Sequence, residues 1–111
     1  MAVTIEIKRG DTSAKFQDNL TINGVPVNLG GGCIARFILR RHGKPQKVVS
    51  ALAIIIDPNA GGVEYQPVVD DIDEEGVYDM EWEITFPSGQ ILTFPNNDFN
   101  TIEILRDLGG A

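Results

Sequence analysis

Asp73-Glu74-Glu75-Gly76-Val77-Tyr78-Asp79-Met80-Glu81-Trp82-Glu83-Ile84-Thr85-Phe86 is the stretch that decides the fold. It opens as an acidic turn and becomes a strict alternation. Tyr78, Met80, Trp82, Ile84 and Phe86 share one parity, and Asp79, Glu81, Glu83 and Thr85 share the other. A period of two places the first set on the core face of a strand and the second in water. Exposure of that second set would leave its carboxylates ordinary. Tyr78 and Trp82 are therefore expected in the core, with Gly76 in the turn that leads to them.

The Asp-x-x-Gly-x-Tyr entry resembles the tyrosine corner of immunoglobulin-like sandwiches, in which a phenol bonds back to the backbone at the start of a strand. Working outward, the same alternation recurs. Val3, Ile5 and Ile7 read as a first strand, and Arg9-Gly10-Asp11-Thr12 breaks it. Residues 16–20 are a short strand or a loop. Asn23-Gly24 within Thr21 to Val27 is a strong hairpin signal. Cys33, Ala35, Phe37 and Leu39 alternate with Ile34, Arg36, Ile38 and Arg40, apolar on both sides near the middle, as a central strand requires. Lys47 to Ser50, Leu52 to Asp57, Val63 to Gln66, Gln90 to Phe94, and Phe99 with Ile102 and Ile104 supply the remaining candidates. Turns at short spacing with no long 3.6-residue period predict an all-β sandwich or barrel, and the tyrosine-corner resemblance implies the antiparallel immunoglobulin-like sandwich. We expect one domain over residues 1–106 and a short flexible C-terminal tail over 107–111.

Composition narrows the function. With 111 residues the chain can bury a core without disulfides or metals. A net charge of −7 argues against general nucleic-acid binding, which rests on Lys and Arg. No stretch is long and apolar enough to span a bilayer, so no membrane partner is expected. The first residues alternate at once instead of forming a basic and then apolar leader, so no signal peptide is expected, and a lone thiol fits a cytosolic folding environment. The lone Cys33 reads as a small buried strand residue. One histidine, His42, supplies neither a metal triad nor a general-base network, and no phosphate loop or nucleophile elbow is present. The expectation is a non-enzyme with no cofactor and no metal.

Two charged runs stand out as candidate protein contacts. Arg36, Arg40, Arg41, Lys44 and Lys47 are five of the nine basic residues, and His42 lies among them. Asp70, Asp71, Asp73, Glu74 and Glu75 form an acidic connection that lacks the calcium-loop spacing. Arg40, Arg41, His42 and Lys44 of one copy meeting the acidic run of another is one way to fix register between copies; a solvated hairpin is the plainer reading.

The ordered segments also resemble a known family. Ile5-Glu6-Ile7-Lys8-Arg9-Gly10-Asp11-Thr12, Gly24-Val25-Pro26-Val27-Asn28-Leu29, Ile34 to Arg40, Gly76-Val77-Tyr78, Glu81-Trp82-Glu83-Ile84, Thr93-Phe94-Pro95 and Ile102-Glu103-Ile104 are similar to the N-terminal domain of phage baseplate upper proteins. The resemblance spans nearly the whole chain and rests on order and spacing. It implies an immunoglobulin-like domain in the virion of a tailed bacteriophage, binding other virion structural proteins in the tail or baseplate as a homo-oligomer. A capsid decoration protein, or a carbohydrate-binding or host-adhesion module, are the other roles such a domain fills.

Overall fold

The computed structural model describes residues 4–13, 15–44, 47–95 and 100–106. The expected turn at 96–98, Phe99 and the tail at 107–111 lie outside these residues. The strands are β1 (Thr4–Lys8), β2 (Phe16–Asn19), β3 (Thr21–Ile22), β4 (Val25–Pro26), β5 (Ile34–Arg41), β6 (Lys47–Leu52), β7 (Ile54–Asp57), β8 (Gly62–Tyr65), β9 (Gly76–Thr85), β10 (Ile91–Phe94) and β11 (Asn100–Leu105). Among the described residues the structure is all-β apart from two 3-10 turns at Pro58–Ala60 and Val69–Ile72.

The larger sheet runs β1-β11-β9-β5-β6, with β10 continuing alongside β9, and the smaller runs β2-β8-β7. The decisive stretch is the longest strand, β9, flanked by β5 on one side and by β10 and β11 on the other. Its register against β5 sets Phe37 opposite Trp82, Leu39 opposite Met80 and Ala35 opposite Ile84. Directly opposed residues share a face, so all six point inward, and each is at most 2 % exposed.

From the smaller sheet, Phe16, Val63 and Tyr65 close on this layer. The Phe37 ring stacks on Tyr65 at 4.4 Å and on Phe16 at 5.3 Å, and meets Trp82 edge-on at 5.3 Å. One aromatic cluster thus joins the two sheets. Gly61 holds the turn between β7 and β8: its φ is +68°, and a Cβ there would collide with the Leu20 carbonyl.

Four local expectations are corrected. The pairing is not wholly antiparallel, because β1 lies parallel to β11. These are the first and last strands, so no hairpin dictates their direction. Cys33 precedes β5 and is only half-buried, with Sγ 3.5 Å from the Gly30 carbonyl. The acidic run hides a core residue: Ile72, in the second 3-10 turn, is 1 % exposed. Finally, Asp79, Glu81, Glu83 and Thr85 are half-buried, because β9 has neighbours on both sides.

Trp82→Ala should cost about 3–5 kcal/mol in chemical denaturation, from lost burial and the cavity left behind. A loss within a few tenths would mean the ring does not hold the sheets together.

Candidate protein-contact surface

The strand directions sort the loops into two ends. At one end lie residues 20–33, 58–61 and 86–90. Leu20 N–H donates to Gly61 O and Leu29 N–H to Pro58 O, each at 2.9 Å, and Gly32 sits beside Pro87. None of these loops carries a charge. At the other end, Gly10 N–H donates to Ile72 O and His42 N–H to Val77 O. That end holds Arg9, Asp11, Arg41, His42, Lys44 and the acidic run Asp70 to Glu75.

The two charged runs singled out in the sequence meet here within one chain. An Arg41 guanidinium nitrogen lies 2.8 Å from Glu74 Oε1, donates to Tyr78 Oη at 3.0 Å, and reaches the Glu75 carbonyl at 3.3 Å. Its carbon stands 5.1 Å over the Tyr78 ring, a cation–π distance. The Tyr78 hydroxyl donates to the Glu74 carbonyl at 2.9 Å, which is the backbone tether that the Gly-x-Tyr entry predicts. Gly76 makes room for it: φ is +147°, and a Cβ there would stand 2.6 Å from Arg41 Nη1. Burial pushes the Tyr78 phenol pKa up, with Arg41 opposing and Glu74 and Asp73 adding to the rise.

The remaining candidates divide into tied and open. His42 Nδ1 pairs with Asp79 Oδ1 at 2.8 Å. Asp71 Oδ2 accepts from Tyr65 Oη at 2.6 Å and Val68 N at 2.9 Å, so it braces the loop. On the outer face of the larger sheet, Arg40 stands opposite Asp79 and Arg36 opposite Glu83. Burial raises the pKa of Glu81; Arg40 opposes the rise, and Asp79 and Glu83 add to it. Lys44, Asp70, Asp73 and Glu75 are exposed. Much of the basic run is therefore matched by acids of the same chain, and the surface it was expected to offer a partner is smaller than the sequence suggests.

One group escaped the sequence reading. Asp18, on edge strand β2, shares its parity with buried Phe16. Burial raises its pKa; the backbone N–H of Asn19 at 2.8 Å, then the side chains of Asn100 and Trp82, hold the rise back. The buried Trp82 Nε1 itself reaches no acceptor in hydrogen-bond geometry among the described residues. A depression lined by Gln17, Asp18, Asn19 and Ile56 is open to solvent. Among the described residues no three side chains of metal-ligating type converge.

Compared with known proteins, the chain matches no family model and no curated sequence.

Two outcomes follow from this geometry. Tyr78→Phe should cost about 1–3 kcal/mol in urea unfolding, because it strands the part-buried Glu74 carbonyl. Asp18 has a folded pKa above its ordinary 3.8, so the folded state binds the proton more tightly. Its contribution to stability is full below 3.8 and is lost as pH rises through the folded value. Asp18→Asn should therefore stabilise the fold most near neutral pH, and the difference from wild type should shrink on acidification, as followed by thermal melts across pH. A difference independent of pH would contradict the assignment.

Proposed function

We propose that this chain is an immunoglobulin-like sandwich serving as a non-enzymatic structural protein of a tailed-phage virion, where it binds other virion proteins in the tail or baseplate. The observation that carries the reading is the order and spacing of segments from Ile5 to Ile104 that resemble the baseplate upper-protein domain. The strand order supports the fold half of the proposal. A five-strand path β1-β11-β9-β5-β6 faces β2-β8-β7, and a tethered tyrosine sits where β9 begins. Fold likeness alone does not assign a role, so the binding half rests on the surface. Large aliphatic side chains are exposed at Val25, Ile34, Leu52, Ile54 and Ile91, and the loops at one end are uncharged. Such surfaces favour protein partners.

The same inventory weighs against a glycan-binding role. Sugar platforms use exposed aromatic rings, and among the described residues every ring is buried except the half-buried Phe86.

Immunogold electron microscopy of intact virions from the source phage, with antibody against this chain, tests the proposal. Label at the tail tip is the expected result. Label over the head would replace it with capsid decoration. Particles without label, despite a positive blot of infected cells, would overturn it.

A further inference from the structure

The side of the molecule formed by β6 and β7 is a longer uncharged border than β10, which is also uncharged but spans only Ile91–Phe94. β1 carries Glu6 and Lys8, and β2 carries Asp18. Residues 48–56, Val-Val-Ser-Ala-Leu-Ala-Ile-Ile-Ile, have no charge between Lys47 and Asp57. β6 ends the larger sheet and β7 ends the smaller. The chain passes between them at Ala53, whose N–H is turned inward to Ala35 O at 2.9 Å. Both sheets are thus bordered on this side by one extended segment, whose outer edge has no strand paired to it among the described residues. Leu52, Ile54 and Ile56 alternate outward along it and are 65, 59 and 49 % exposed. Edge strands are ordinarily blocked by charge, proline or a bulge. Here the register irregularities fall towards the two ends, at Leu39/Arg40 against β6 and at Ile55/Asp57 in β7, and between them the strands are interrupted only at Ala53, where the chain crosses from one sheet to the other.

We infer that two copies of this chain pair antiparallel along this edge, about a two-fold axis at Leu52. A two-fold interface must be self-complementary, and this segment is. Centred on Leu52, the antiparallel register sets Ser50 beside Ile54 of the other copy and Val48 beside Ile56. It also sets the Lys47 position beside the Asp57 position, once at each end. The segment's two terminal charges are opposite in sign, so a second copy satisfies both, whereas a uniformly acidic or basic strand would match one and oppose the other. Copies carrying a charge of −7 repel over much of their surface, and this neutral edge is one place where they approach at low electrostatic cost. The inference goes beyond the virion reading and does not depend on it. A contact between two short edges lies near or below the ~1,200 Å² lower end of stable interfaces, so the dimer is reversible.

Sedimentation equilibrium of the purified full chain, over a range of concentrations, reads this directly. The expected result is a reversible monomer–dimer equilibrium. Leu52→Lys and Lys47→Asp should each weaken it, by about tenfold or more for the buried charge at the axis, and Lys47→Asp combined with Asp57→Lys should restore it relative to Lys47→Asp alone. Leu52 is exposed in the monomer, so Leu52→Lys keeps the fold, which a thermal melt verifies. Lys47→Asp leaves the Asp57 cap on Ala60 N–H intact and serves as the independent variant. A monomer at every concentration overturns the inference, as does a dimer indifferent to both single variants.

Discussion

The register of β5 against β9 is the constraint on which the rest of the molecule depends. Placing Phe37 opposite Trp82 fixes the inner face of the larger sheet, and with it the site where Phe16 and Tyr65 stack. The same register places Arg36 opposite Glu83 and Arg40 opposite Asp79 on the outer face. A slip of one residue would turn the core out and bring the charges in. Hydrophobic burial and cross-strand charge pairing therefore select the same alignment, and agreement between independent preferences is what makes a sequence specify one fold.

The corner at the charged end extends this logic beyond the sheet. Arg41 leaves β5 just as Tyr78 enters β9, and the two residues stand opposite each other in the ladder. The guanidinium then joins Glu74, the Glu75 carbonyl and the phenol at one point. An acidic loop that would otherwise repel itself is drawn onto the sheet. The result is a molecule whose charged end draws part of its basic and acidic runs together, while the loops at the other end carry no charge.

Much of the core was legible in the sequence because period-two alternation survives without tertiary information. Tyr78, Met80, Trp82 and Ile84 fall where the parity puts them, and Gly76 opens β9 at a φ of +147°, which favours glycine. What stayed hidden needs register or three-dimensional neighbours. The matching of Arg36 with Glu83 depends on how two strands more than forty residues apart align. Ile72 is masked by five acidic neighbours and by a 3-10 turn too short to show a period. Asp18 faces the core only because β2 borders its sheet and closes on Trp82 and Asn100. The charged runs read as partner surfaces for the same reason: a linear sequence displays charge but not the charge opposite it.

The measurement that tests this account most directly is the pattern of interstrand nuclear Overhauser effects between β5 and β9 in solution. The account predicts backbone contacts that pair Phe37 with Trp82, Leu39 with Met80 and Arg40 with Asp79. Contacts displaced by one residue, pairing Phe37 with Glu81 or Glu83, would contradict it, because Trp82 and Phe37 could not then share the face that holds the two sheets together.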